Sequence, residues 1–151
     1  MIDIGPKRPV ARRAMAQGSI QLRKVTIAAV REKRIAKGDP IETARIAATM
    51  AVKRTAELIP YCHPIPLEAA NIDFDVGDKG IEVRCEVRAR YKTGVEMEAL
   101  VGVTTALLVI WDMVKYLEKD AGGQYPTTAI GDVRVVAKEK GTVGGERRDG
   151  I

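Results

Sequence analysis

Residue types that enzyme sites commonly use are scarce in this 151-residue sequence, which contains one serine, Ser19, and one histidine, His63. A catalytic zinc site draws its ligands from converging histidine, cysteine and acidic side chains, so zinc hydrolase chemistry is not expected from a chain with one imidazole. A serine triad would have to unite Ser19 with His63. Ser19 lacks the glycine-flanked elbow that exposes such a nucleophile, and we discount this chemistry as well.

Signals for disulfides and membrane spans are also missing. Cys62 and Cys85 do not have the C-x-x-C redox spacing, so we expect free thiols. Adjacent residues such as Cys62 and His63 rarely converge on one ion, so no metal is expected. The longest unbroken apolar run has six residues, 106–111, whereas a bilayer span requires about 20. With Asp3 near the start and no secretory apolar segment after it, the sequence predicts a cytoplasmic protein without membrane contact.

Basic residues exceed acidic ones, 25 to 20, for a formal net charge of +5. This balance favours anionic partners without choosing among phosphorylated ligands, nucleic acids and acidic membranes. The alternative function is a small basic RNA-binding module. Against it, only six aromatic residues are available for stacking bases, and the polar side of the strand over 81–92 alternates glutamate with basic residues.

Hydrophobic periodicity and turn residues predict an α+β protein. The predicted elements are an interrupted strand over 10–22, helices over 23–36 and 40–58, strands over 70–76 and 81–92, a helix over 95–119 and a strand over 132–138. Gly38 would end the first helix, and Asp39 would cap the second. We expect a ferredoxin-like sandwich whose largely antiparallel sheet carries helices on one face. Residues 1–138 would form one catalytic domain, and 139–151 a flexible tail.

Three clusters of ionisable groups are candidates for chemistry. The first is Tyr61-Cys62-His63-Pro64, where a proline-stiffened loop could hold the imidazole against a ligand; the alternative is a histidine that only satisfies a loop carbonyl. The second is the pair Glu96 and Glu98 at the start of a helix. They could bind N–H donors of a guanine-like ring, or only complement the helix dipole.

The third cluster is Asp112 and Lys115, three residues apart on one helical face. It is either an exposed ion pair or a proton-transfer pair in which burial lowers the pKa of the lysine. Lys37, Lys53 and Arg54 add cations that a polyphosphate would need, or are only solvated charges.

The stretches ARIAATMAVKRTAELIPYCHPIPL and TGVEMEALVGVTTALLVIWDMVK closely resemble the MoaC family of cyclic pyranopterin monophosphate synthases, which act in molybdenum cofactor biosynthesis. The likeness extends from about residue 2 to 138. The order KGD, ARIA, KRT, CHP, GVEMEAL and D-M-x-K makes the resemblance highly specific.

The resemblance implies conversion of 3′,8-cyclo-7,8-dihydroguanosine 5′-triphosphate to cyclic pyranopterin monophosphate with release of pyrophosphate. It implies catalytic roles for Asp112, Lys115 and Lys37. We expect these residues to bind the substrate, either from the resemblance or as cations for the triphosphate: Tyr61, Cys62, His63, Glu96, Met97, Glu98, Lys53, Arg54 and Arg12. Family members form hexamers, as trimers of dimers, with shared sites. No cofactor, nucleic acid or membrane partner is implied, and Mg²⁺ would come only with the triphosphate.

Overall fold

The computed structural model describes residues 1–141. Its elements are β1 (Val10–Gln21), α1 (Lys24–Arg31), α2 (Pro40–Val52), α3 (Thr55–Leu58), β2 (Leu67–Val76), β3 (Gly80–Tyr91), α4 (Glu96–Glu118) and β4 (Ala129–Lys140). The strands form one antiparallel sheet in the order β2-β3-β1-β4. β1 and β2 lie on either side of β3 and both run antiparallel to it, so β1 and β2 are parallel to each other. This is the split βαβ unit of a ferredoxin-like α+β fold. The predicted fold class is confirmed.

The core lies between one face of the sheet and the helices. Alternate residues of β3 are buried as predicted: Ile81, Val83, Cys85, Val87 and Ala89. Helix α4 packs over β1 and β3 with α2 beside it. A Cβ atom on Gly102 would lie 2.7 Å from Cys85 Sγ and 2.8 Å from Val52 Cγ2, so glycine allows this close approach. Cys85 and Cys62 are free thiols, as predicted.

Helix α4 is the element that crosses the whole core. Its 23 residues reach a mean hydropathy of 1.7, which by length and composition suffices to cross a membrane. The core helix of a soluble protein can be equally long and apolar, and half of the apolar stretch of α4 is buried inside this fold. We therefore interpret α4 as a core helix.

Helix α1 is shorter than predicted because the chain leaves it at Arg31 rather than near Gly38. The Arg34 N–H donates to the Ala29 carbonyl at 2.8 Å, and Lys33 takes a left-handed conformation with φ of 55°. This is a Schellman ending, with lysine at the position that glycine usually occupies. Gly38, at φ of 111°, turns the chain a second time into α2.

Helix α2 begins as predicted and ends early. Asp39 accepts hydrogen bonds at 2.9 and 3.2 Å from N–H groups of the first turn, which confirms the predicted cap. The prediction that the helix continues through residue 58 is wrong, since α2 ends at Val52. There the Thr55 hydroxyl donates to the Val52 carbonyl at 3.0 Å, and such bonds compete with helical ones.

Three strands differ from their predicted bounds. β1 is continuous rather than interrupted, and β2 begins at Leu67 because both pair along their length with β3. β4 extends over Ala129–Lys140, with register shifts against β1 that accommodate Asp132 at φ of 55°. It therefore continues two residues past the predicted domain end at residue 138. The rest of the predicted tail, 142–151, lies outside the described residues.

One carboxylate is wholly enclosed by the fold. Glu118, the last residue of α4, is 0% exposed. It accepts hydrogen bonds from Thr128 Oγ1 at 2.7 Å, from the Arg23 N–H at 3.2 Å and from the Thr26 hydroxyl. A buried carboxylate is tolerated where such donors replace its hydration. Glu118 thus joins α4 to the start of α1 and to the segment before β4.

Replacing Glu118 by alanine should lower the free energy of unfolding by about 2–4 kcal/mol, because two buried hydroxyls and one partly buried backbone N–H lose their acceptor. Glu118→Gln, which keeps one acceptor oxygen, should lose less. Chemical denaturation followed by circular dichroism measures both. The control is Glu57→Ala, whose carboxylate is exposed and whose loss should change stability by no more than about 0.5 kcal/mol. An equal loss for Glu57→Ala and Glu118→Ala would contradict the structural role.

Candidate functional site

A cavity of about 680 Å³ opens between the proline-rich loop before β2 and the turn before α4. We call it the loop pocket. Its walls are Tyr61, Cys62, His63, Ile65, Thr93, Gly94, Glu96, Met97 and Glu98, with Met1, Ile2, Ile4 and Lys7 from the N-terminal segment. The stretch between α3 and β2 has neither helix nor strand, as its prolines predict. The first two sequence clusters therefore meet in one place.

The two glutamates of the loop pocket have opposite pKa shifts. Burial raises the pKa of Glu98, which is 4% exposed; its own backbone N–H acts against this shift, and the charge of Glu96 adds to it. Burial also acts to raise the pKa of Glu96. The Lys138 ammonium, the backbone N–H of Glu96 and the charge of Arg12 outweigh it, and the pKa of Glu96 is lowered. Two carboxyls whose environments separate their pKa values can divide acceptor and donor roles.

Two basic side chains of the sheet border Glu96. Lys138 of β4 forms an ion pair with it, and Arg12 of β1 donates from Nη2 to the Lys92 carbonyl at 3.4 Å. The Arg12 Nε is buried and has no hydrogen-bond partner among residues 1–141. Lys138 was not predicted from the sequence. Its position depends on its pairing with Ala14 across a strand with register shifts, which local patterns do not show.

Lys53 and Arg54 line a second cavity of about 330 Å³ beside the loop pocket. They lie at the break between α2 and α3, opposite the prolines at 64 and 66. Ile65 and Glu98 line both cavities, so the basic residues and the loop pocket are neighbours. Among residues 1–141, the ion pair of Arg54 is an exposed one with Glu57 at 4.0 Å.

The third cluster forms around Asp112 on the exposed side of α4. Lys115 Nζ lies 2.7 Å from Asp112 Oδ1, and Lys37 Nζ lies 3.0 Å from Oδ2 and 2.9 Å from the Asp112 carbonyl. We call these residues the lysine–aspartate cluster. Hydrogen bonds from Lys115 and Lys37 lower the pKa of Asp112.

The hypothesis that burial lowers the pKa of Lys115 is wrong for the single chain. The Lys115 side chain is 40% exposed, and the hydrogen bond and charge of Asp112 raise its pKa. The ammonium form is therefore favoured, and Lys115 in the single chain holds its proton more tightly than a free lysine does.

One chain does not bring all the predicted site residues together. Asp112 follows Glu98 by 14 positions on the same helix, which separates them by about 21 Å along its axis. Lys37 goes with Asp112 and Lys115. The other predicted site residues lie at the opposite end of α4: Tyr61, Cys62, His63, Glu96, Met97, Glu98, Lys53, Arg54 and Arg12.

A resident metal has no obvious place in either group. Within residues 1–141, no three histidine, cysteine or acidic side chains converge as ligands. Burial and the charge of Glu98 raise the pKa of the Cys62 thiol, whereas a metal ligand must be the thiolate. That the protein needs no metal stays a prediction.

The MoaC family model matches residues 1–141, a range that includes both groups of residues. This chain belongs to the MoaC family. A relative from Pyrococcus abyssi, named probable cyclic pyranopterin monophosphate synthase, is 61% identical over 140 residues, 93% of this chain and 88% of the relative. One of the same name from Archaeoglobus fulgidus is 56% identical over 93% of this chain and 90% of its own length.

A third relative, from Methanothermobacter thermautotrophicus, is 56% identical over 93% of this chain and 88% of its own length, and is named probable cyclic pyranopterin monophosphate synthase accessory protein. The family resemblance read from the motifs is confirmed.

The sheet face away from the helices offers no support for the RNA-binding alternative. Two of its arginines form ion pairs with acidic neighbours: Arg13 with Glu86 at 2.6 Å and Arg84 with Glu82 at 2.5 Å. RNA-binding sheets instead present aromatic side chains to unstacked bases. The relatives named above carry synthase names, and none of those names refers to RNA.

Glu96 and Glu98 should titrate on opposite sides of 4.5. A lowered pKa means that ionised Glu96 favours the fold, and this contribution is lost as the pH falls through that pKa. A raised pKa means that protonated Glu98 favours the fold, and this contribution is lost as the pH rises through that pKa. Carboxyl ¹³C chemical shifts against pH measure both values, and assignment uses Glu96→Gln and Glu98→Gln. A lower pKa for Glu98 than for Glu96 would contradict the environments described.

Proposed function

We propose that this chain is a cyclic pyranopterin monophosphate synthase of molybdenum cofactor biosynthesis. It would convert 3′,8-cyclo-7,8-dihydroguanosine 5′-triphosphate to cyclic pyranopterin monophosphate and release pyrophosphate. Family membership over residues 1–141 and the names of the relatives support this activity. The observation that carries it is Asp112 held between two lysine ammonium groups. No RNA-binding role is proposed.

The lysine–aspartate cluster would perform the proton transfers. Opening the cyclised ring, closing the pterin and attacking the α-phosphorus with a sugar hydroxyl each move a proton, and loss of pyrophosphate moves negative charge. Lys115 is an ammonium group beside Asp112 and would act as a proton donor. Lys37 would provide the complementary acid–base group. Asp112 would orient both ammonium groups and hold their charge near the leaving phosphates.

The loop pocket would hold the purine-derived ring and the sugar. Glu96, with its lowered pKa, is an acceptor for ring N–H donors, whereas Glu98 is the carboxyl more readily protonated. His63 projects from a proline-stiffened loop into the same cavity. Tyr61, Cys62 and Met97 complete the wall around the ligand. The volume of about 680 Å³ is in the range of small-molecule sites.

Three basic residues would neutralise the triphosphate. Lys53 and Arg54 border the smaller cavity that adjoins the loop pocket. Arg12 has a buried Nε with no partner among the described residues, and buried donors are normally satisfied. Because Nε itself is shielded from solvent, the terminal guanidinium nitrogens of Arg12 would bind a phosphate oxygen. No resident cofactor is proposed.

A complete site would require two chains. The lysine–aspartate cluster and the loop pocket lie about 21 Å apart on one rigid helix, too far for one nucleotide ring system to react at both. A second copy that places its own lysine–aspartate cluster over the loop pocket would unite them. We propose a hexamer built as a trimer of dimers, with sites at subunit interfaces, in the cytoplasm. Exposed apolar side chains on α2 and α4 support burial by another copy: Ile46 is 62% exposed, Met50 53% and Leu108 57%.

Lys115→Ala should reduce turnover at least about 100-fold, since general acid–base groups contribute at least that factor. The assay follows pyrophosphate and pterin product from freshly prepared cyclic dihydroguanosine triphosphate. The matched control is Lys119→Ala, an exposed lysine just past the end of α4, which should keep the rate of the unmodified chain. Full turnover by Lys115→Ala, together with inactive Lys53→Ala, would refute the assignment of proton transfer to Lys115.

Mixing two inactive variants tests the shared site. A Lys115→Ala chain and a His63→Ala chain, unfolded together and refolded, should recover about a quarter of the original activity. In a two-fold dimer, half of the randomly formed pairs are mixed, and each mixed pair has one intact site of two. A mixture of Lys115→Ala with Asp112→Ala, both defective in the same cluster, is the control and should stay inactive. No recovery from the first mixture, with both variants folded, would refute the composite site.

A further inference from the structure

The segment that carries Lys37 is joined to α4 at two points. The Lys37 ammonium donates to Asp112. One residue earlier, the Ala36 N–H donates to the Tyr116 hydroxyl oxygen at 2.8 Å. Asp112 and Tyr116 are four residues apart, so they lie on the same face of the helix. Among residues 1–141, these are the hydrogen bonds that connect the turn over 32–38 with α4.

The rest of this turn gives the Lys37 backbone little further support. The Gly38 N–H donates to the Ile35 carbonyl at 3.0 Å, which closes the turn on itself. Ile35 is buried at 6% exposure and anchors the turn before Ala36. Of the hydrogen bonds from this turn to α4 among residues 1–141, the one to the Tyr116 hydroxyl is the one that does not depend on the Lys37 side chain. A lysine has a long, flexible stem, so the position of its ammonium group follows the position of its backbone.

We propose that Tyr116 is a positioning residue for Lys37, acting through the Ala36 N–H. The inference rests on the proposed function, in which Lys37 transfers protons. Tyr116 is 44% exposed, so its hydroxyl is not needed to fill the core. Removing the hydroxyl frees the Lys37 backbone and leaves the substrate-binding residues of the loop pocket untouched. The expected defect therefore lies in kcat and not in KM.

The test compares Tyr116→Phe with the unmodified chain in full-length assembled protein. The variant keeps the ring and removes the acceptor, and kcat should fall about fivefold, the effect of losing one hydrogen bond. KM should stay unchanged within about twofold. Hydrogen–deuterium exchange of the peptide over 32–38 should become faster, which gives a readout independent of activity. Tyr91→Phe, at the end of β3, is the matched control and should change none of these values.

Two further variants separate the possible failures. Tyr116→Leu also removes the hydroxyl and should show the same loss of kcat. If one of the two variants does not fold, the other still tests the role of the hydroxyl. Wild-type kcat or unchanged exchange in Tyr116→Phe, beside an inactive Lys37→Ala, would overturn the positioning role and leave the proposed function standing. A loss confined to KM would overturn it too. Wild-type turnover by Lys37→Ala would remove Lys37 from the chemistry and, with it, the role of Tyr116.

Discussion

A single rigid helix sets the distances between the chemical groups of this fold. Helix α4 has 23 residues and so spans about 35 Å. It carries Glu96 and Glu98 in its first turn, Asp112 and Lys115 near its other end, and an apolar stripe between them that packs on the sheet. Because this stripe forms the core, the helix cannot bend to bring its two ends together. The separation of the loop pocket from the lysine–aspartate cluster is a consequence of how the fold is stabilised.

Three glutamates on this helix show how partners decide what a carboxylate does. Glu96 meets a lysine from β4 and keeps a lowered pKa. Glu98, two residues on, is buried, has no ion pair within residues 1–141, and has a raised pKa. Glu118 is buried completely, and two hydroxyls and a backbone N–H surround it. The first two line the loop pocket, whereas the third joins segments of the fold.

The connection between α1 and α2 links local conformation to the proposed chemistry. The chain leaves α1 through Lys33 in a left-handed conformation and turns again at Gly38. Between these points it carries Ala36 and Lys37 across to α4. A regular helix through residue 36 would have directed Lys37 elsewhere. The early end of α1 is therefore what allows Lys37 to reach Asp112, which lies 75 positions later in the sequence.

Much of the architecture follows from sequence patterns alone. Local structure is determined within a few residues by the alternation in β3, the apolar stripe of α4, the Asp39 cap and the proline-rich loop. The family motifs predict the site residues. The spacing of Glu118, four residues after Val114, placed it on the apolar stripe, a signal that could have revealed its burial. The ends of α1 and α2 depend on individual hydrogen bonds. The pairing of Lys138 with Glu96, the exposure of Lys115 and the distance between the two clusters depend on contacts between residues far apart in sequence. Only the tertiary structure decided these, because strand register and helix packing bring such residues together and no local pattern records them.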